Sequence, residues 1–283
     1  MLLKQPGVTL IAVLTLALGI GATSAVFSLI QGVLLTPPPY RKPQQLVLIS
    51  ARSGGAERSS GPQAWAAAQW MDWQQQAKTV QSVAAYNWSF NFLVQSDGSE
   101  SLEGMRVTGD YFRVTGLQPV MGRTFLESET GPTPAQVVLL GYDVWQRKFQ
   151  GDPNIVGKGI RISRRDTPVT VIGVMPQGVR FLPTPGVAME PNYNVNATVD
   201  FWMPAGLNPQ QAKSPGWEVV ARLQDGATPE QAQAELRIMV ERQAQTDREF
   251  AGMSPRLQYL MDDVNRDGRR ILYPLIGAAG LVC

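Results

Sequence analysis

The hydropathy pattern begins with a long uncharged run near the N-terminus. No charged residue lies between Lys4 and Arg41, and residues 8–35 are predominantly apolar. A helix over this range would be roughly 42 Å long at 1.5 Å per residue, whereas a bilayer core of about 30 Å needs about 20 residues. The prolines of TPPPY (36–40) cannot continue a helix. The pattern predicts a short tail (1–7) and then a transmembrane helix that projects beyond the bilayer.

A cleaved signal peptide is the alternative interpretation of this run. The apolar part of a secretory signal is only 7–15 residues long, which favours the retained helix. Small residues recur on one face of the predicted helix, and such stripes let membrane helices approach closely. Glycine and alanine are also simply common in membrane helices, so composition alone would account for part of the pattern. The helix-packing residues predicted from the stripe are Ala17, Gly21, Ala25, Ser28 and Gly32.

A second apolar run closes the chain. Residues 271–283, ILYPLIGAAGLVC, have the composition of a membrane helix but are too few to cross a bilayer. We interpret them as the start of a second transmembrane helix, and we expect the chain to be a fragment or a truncated reading frame.

The residues between the two runs alternate between strand and helix patterns. This mixture without a regular repeat predicts an α+β fold. The predicted strands are 46–49, 83–95, 100–109, 135–141, 158–163, 168–175, 217–226 and 255–263, and the predicted helices are 62–80, 109–116, 142–150 and 227–250. We expect polar or proline-rich loops at 51–62 and 176–198, and a turn at 96–99.

Three patterns within these elements are specific enough to predict packing. Thr228 is the predicted N-cap of the last helix, with Pro229 at N1 and a capping box to Gln231. Its inner face is predicted from Ala232, Leu236, Met239 and Val240. The stripe of Ala66, Trp70, Trp73 and Ala77 predicts core packing, and the alternation of Trp217, Val219, Ala221 and Leu223 predicts a half-buried strand.

Composition removes several classes of site. The chain has no histidine and one cysteine, Cys283, which excludes imidazole catalysis, most zinc sites and internal disulfides. A net charge of +2 gives no footprint for nucleic acid, and no phosphate-binding P-loop motif occurs. DVNRDG (263–268) matches the start of a calcium loop, but Pro274 stands where the bidentate glutamate belongs. We therefore predict no catalytic, cofactor-binding or metal site.

Several stretches together resemble one family. Residues 4–40 resemble the first membrane helix of MacB/FtsX-type ABC transporter permeases. Four further stretches resemble parts of the MacB-like periplasmic core domain. They are GDYFRVTGLQPVMGRTF (109–125), residues 137–162, residues 170–181, and VVARLQDGATPEQAQAEL (219–236), which resembles its closing strand and helix.

The resemblance implies a domain organisation and a role. It implies an extracytoplasmic core domain over 41–270, with porter-like parts at about 41–98 and 216–265 and an inserted sabre-like subdomain at about 99–215. It implies a permease of the bacterial inner membrane, coupled to a separate ATPase subunit and paired as a homodimer or with another permease. A periplasmic adaptor is a further implied partner, and the resemblance implies no catalytic residues.

Charge around the first run favours the opposite topology. Lys4 flanks one side, whereas Arg41, Lys42 and Arg52 flank the other, and the positive-inside rule would place the large domain in the cytoplasm. The resemblance places it outside. Two other functions also stay open: a single-pass membrane-anchored sensor or scaffold that binds a partner, and a membrane-anchored enzyme that uses a carboxylate.

Overall fold

The structure is a computed structural model that describes most of the chain between the two apolar runs. The described residues are Gly7, Ala17, Gly21, 39–53, 64–96, 98–162, 167–183, 197–207 and 215–262. By their contacts, residues 38–261 form one unit, and 1–37 with 262–283 form another.

The predicted membrane segments fall almost entirely outside the described residues. Ala17 and Gly21 are helical and exposed, whereas Ala25, Ser28 and Gly32 lie outside, as do the calcium-like stretch and the second apolar run. Of the helices in the part of the chain that the structure describes, none is long and apolar enough to cross a membrane.

The domain is a mixed α+β structure, as the pattern predicts. Its strands are β1 (Leu46–Ser53), β2 (Trp65–Ala66), β3 (Val80–Gln95), β4 (Gly98–Val107), β5 (Met121–Gly122), β6 (Val137–Leu140), β7 (Gly159–Ile160), β8 (Val169–Val174), β9 (Phe201–Pro204), β10 (Pro215–Leu223) and β11 (Met253–Tyr259). Its helices are α1 (Ala67–Gln76), α2 (Tyr111–Thr115), α3 (Tyr142–Phe149) and α4 (Pro229–Thr246), with 3-10 turns at Pro43–Gln45, Glu127–Glu129 and Arg248–Phe250.

All the strands belong to one sheet. Its order is β11-β1-β10-β3-β4-β9-β6-β8-β5, with β2 paired to β10 and β7 to β8. Pairing is antiparallel except between β4 and β9 and between β6 and β8. The first and last strands of the domain are neighbours, because β1 pairs with β11 from Val47↔Tyr259 to Ser53↔Met253. The domain therefore begins and ends at the same end of two adjacent strands.

Two hydrophobic clusters lie on opposite faces of this sheet. The α4 cluster includes Val219 and Ala221 of β10 together with Trp73 of α1 and Leu236 of α4. The α2 cluster, on the other face, includes Val220 of β10 and, from α2, Tyr111, Phe112 and Val114. Both faces of β10 are thus buried from Val219 to Leu223. The prediction of a half-buried strand is wrong here, since α2 covers the face that was expected to meet solvent.

A third cluster surrounds the strands farther along the sheet. The α3 cluster contains Val144 and Trp145 of α3, packed with residues of β6, β8 and β9 such as Leu140, Val171 and Phe201. Strand β9 was not predicted, because its four residues show no alternation of apolar and polar positions.

The helices follow the predicted local rules, with corrections at their ends. Thr228 caps α4 by accepting a hydrogen bond from the Gln231 amide, and the predicted inner face is buried. Trp70 and Trp73 are core residues, as predicted. However, α1 begins at Ala67 and not near Pro62, because Trp65 and Ala66 pair with β10 and the Trp65 indole donates to the Ile49 carbonyl at 2.9 Å.

Candidate functional site: the junction at the start of the domain

The first candidate feature is the short segment that leads into β1. Tyr40 is buried in the α2 cluster, and its hydroxyl donates to the Arg180 carbonyl oxygen at 3.3 Å. Burial raises the pKa of the Tyr40 hydroxyl. Lys42 turns the chain in the left-handed conformation, with φ 44°, and the 3-10 turn follows. We call residues Tyr40–Gln45 and the groups that hold them the junction. It is hydrogen-bonded to the rest of the domain at Tyr40, Arg41 and Lys42.

Arg222 of β10 holds the junction from beneath. Its side chain lies on the face of the sheet that carries the α2 cluster, and the residue is 6% exposed. The guanidinium Nε and Nη2 both donate to the Val114 carbonyl at the end of α2, at 2.9 and 2.6 Å. Nη2 also donates to the Arg41 carbonyl at 2.6 Å, and Nη1 to the Lys42 carbonyl at 3.3 Å. One side chain therefore ties β10, α2 and the junction together.

The positive charge of Arg222 is solvated by backbone oxygens. Among the described residues, no carboxylate pairs with it; the other acceptor is the side-chain oxygen of Gln45 at 3.4 Å. Burial lowers the pKa of Arg222, and the nearby charge of Arg41 lowers it further. A buried cation held only by neutral acceptors is costly to place, so its position is tightly determined by the fold.

Gly116 lets the junction lie directly against α2. The Arg41 amide donates to the Thr115 carbonyl at 3.0 Å. Gly116 ends α2 with φ 74°, and a Cβ placed on it would lie 2.3 Å from the Cβ of Arg41. Glycine is therefore required here for its conformation and for the close approach of the junction.

We expect Gly116→Ala to lower the free energy of unfolding by about 2 kcal/mol. A left-handed alanine costs about 1 kcal/mol, and displacement of Arg41 adds to it. Gly178→Ala is the matched control, since Gly178 has φ 78° and open space around its missing Cβ. It should cost about 1 kcal/mol. Urea unfolding of the full chain in detergent micelles measures both, and equal losses would contradict the contact with Arg41.

The predicted helix-packing residues are not among the described residues of the domain. Ala17 and Gly21 belong to the other unit, and the remaining three lie outside the described residues. Sequence reasoning missed Arg222, although a charged residue within the apolar stretch Val219–Leu223 was a usable signal. It missed Gly116 because a glycine that ends a helix gives no sign of what packs against it.

Comparison with known proteins places the chain among extracytoplasmic domains. Residues 9–238 match the family model described as "MacB-like periplasmic core domain". Among solved structures, the periplasmic region of MacB from Actinobacillus actinomycetemcomitans aligns with a TM-score of 0.55 at 17% identity, over 87% of this chain and 98% of that one. The extracellular domain of the noncanonic ABC-type transporter YknZ from Gram-positive bacteria aligns with a TM-score of 0.53 at 13% identity, over 75% and 99%.

The structural likeness, at these identities, shows a shared fold. No curated protein matches the chain. The match to the family model covers most of the chain and begins within the predicted membrane helix.

Proposed function

The chain belongs to the MacB-like periplasmic core domain family, and from this membership we propose that it is part of the permease subunit of an ABC-type transporter. The family is that of the periplasmic domains of such permeases, which are not themselves catalytic. ATP hydrolysis by a separate subunit would drive movements of the domain for efflux or export. Pairing as a homodimer or with a second permease, and an adaptor on the outer side, complete the proposed assembly.

The junction is the observation that carries this proposal. A membrane helix can move an attached domain only if the connection between them is rigid, because a flexible linker would absorb the movement. Arg222 and the Arg41–Thr115 hydrogen bond fix the junction to the core, and Arg41 follows the predicted helix end, Leu35, by only six residues. Because β11 runs antiparallel beside β1, the start of β1 and the end of β11 lie next to each other.

Two of the three clusters follow the proposed subdivision, whereas the α2 cluster joins both parts, since it packs Leu46 and Val220 with Trp202. The α4 cluster draws on 47–85 and 217–259, within the porter-like parts, plus Leu207, a partly buried residue packed against it. The α3 cluster draws mainly on 93–174, within and beside the inserted part. In the membrane, we propose that the stripe from Ala17 to Gly32 packs against a partner helix.

Reporter fusions test the proposed topology, since the family and the flanking charges favour opposite sides. We expect alkaline phosphatase inserted in the exposed turn after α3, between Gln150 and Gly151, to be active in cells, because this enzyme matures only outside the cytoplasm. The same reporter fused before Lys4 should be inactive. The full chain should also stay with membranes washed in alkaline carbonate.

Two results would contradict the proposal. An inactive reporter at Gln150, with a cytoplasmic reporter active at the same position, would place the domain inside the cell. Release of the intact chain by carbonate would remove the membrane helix on which the coupling depends.

A further inference from the structure

A cleft beside the junction is lined by an excess of positive charge. Its volume is about 260 Å³, and its lining residues include one carboxylate, Asp225, besides uncharged polar side chains. Its four cations are Arg41, Lys42, Arg113 and Arg222. They come from the junction, α2 and β10, which the fold brings together from distant parts of the sequence.

Ion pairing leaves part of this charge unbalanced. Lys42 lies 3.5 Å from Asp225, and Arg113 lies 2.9 Å from Asp110. Among the described residues, no carboxylate lies within ion-pair distance of Arg41 or Arg222. Two positive charges therefore stay uncompensated beside each other.

Two neighbouring positive charges repel each other unless a negative charge nearby offsets the repulsion. Arg222 is already buried, and Arg41 adds to the cost of its charge. The N–H groups of Arg222 already donate to carbonyl oxygens. Arg222 therefore contributes positive electrostatic potential to the cleft but no free hydrogen-bond donor. Arg41, Lys42 and Arg113 are exposed at the cleft and retain donors for a ligand. This combination of a fixed buried charge and free donors is typical of an anion site.

We propose that the cleft binds a phosphate-bearing anion. Guanidinium groups match phosphate oxygens in pairs, and the polar lining is unsuited to an apolar ligand. The volume lies just below the range of sites for drug-sized ligands, so it fits a phosphate group with a small substituent and not a peptide segment. A free phosphate and the phosphodiester of a lipid headgroup share this chemistry. The proposal is independent of the transport function.

Calorimetric titration of the full chain in non-ionic micelles tests the site. The two probes are inorganic phosphate and glycerophosphoglycerol, a water-soluble phosphodiester headgroup, at constant ionic strength. We expect Arg41→Gln and Arg113→Gln each to weaken binding about tenfold, the loss of one charge-assisted hydrogen bond. The probe that binds more tightly identifies the source of the phosphate.

Arg237→Gln is the matched control, because Arg237 is exposed on α4, pairs with Glu241 and does not line the cleft. It removes the same charge and should leave the affinity unchanged. Failure of both probes to bind, unchanged binding in the two cleft variants, or an equal loss in Arg237→Gln would overturn the proposal. Circular dichroism confirms that the variants are folded, and Arg113, on the surface of α2, is the safer of the two cleft substitutions.

Discussion

We expect the Arg222→Met variant to unfold with a free energy about 4 kcal/mol below that of the parent chain. Methionine fills much of the same space but donates no hydrogen bond. The carbonyl oxygens of Val114, Arg41 and Lys42 would then lose their partner. A buried polar group left without a hydrogen bond costs about 1–3 kcal/mol, and relief from burying the charge offsets only part of the total.

Urea unfolding of the full chain in micelles, followed by tryptophan fluorescence, measures this loss. Arg106→Met is the control, since Arg106 is exposed on β4, two strands away from β10 in the same sheet. Its loss should be within about 0.5 kcal/mol of zero. A second readout is tryptic cleavage after Arg41, which should become faster in Arg222→Met while the rest of the domain stays resistant at low urea. A loss no larger than the control's would show that the carbonyl oxygens find other partners.

We expect Glu218→Gln to remove a pH-dependent change of about 3 kcal/mol in the free energy of unfolding. Glu218 lies on the same face of β10 as Arg222, and burial raises the pKa of its carboxyl from 4.5 to about 7. That difference corresponds to about 3 kcal/mol at 1.36 kcal/mol for each tenfold change in proton affinity. Between these pH values the folded chain holds a proton that the unfolded chain has released. The free energy of unfolding therefore falls as the pH rises from about 4.5 to about 7.

Glutamine imitates the protonated carboxyl at every pH. We expect the variant to be as stable as the parent near pH 4 and up to about 3 kcal/mol more stable at pH 8. Glu127→Gln removes the same charge at an exposed position and should leave the difference between the two pH values as it is in the parent. A parent chain whose stability does not fall between pH 5 and 7.5, relative to Glu218→Gln, would contradict the buried carboxyl.

Local signals in the sequence predicted much of the fold. The capping box at Thr228 and Gln231 depends only on neighbours along the chain, and α4 begins where it indicates. The hairpin of β3 and β4 follows from two alternating runs around a turn. These elements need no knowledge of distant residues.

The junction required knowledge of which elements share a face. Glu218 and Arg222 alternate with apolar residues, which is the pattern of a strand with one face in water. The placement of α2 over that face buries Arg222, and Glu218 on the same face is half-buried. Likewise β9 pairs with β4 and β6, which precede it by more than 90 and about 60 residues, and its short apolar sequence carries no sign of either partner. Long-range pairing was therefore the part that the pattern could not supply.

The adjacency of β1 and β11 decides which forces this domain can withstand. Pulling the two chain ends apart would peel that ladder from the Val47–Tyr259 end, breaking one rung after another instead of loading them together. A load that moves both ends in the same direction does not separate the two strands. The hydrogen bond from Arg222 to the Arg41 carbonyl holds the segment before β1 against the first step of peeling. The pairing of β1 and β11 is therefore suited to loads that move both chain ends together, and not to loads that separate them.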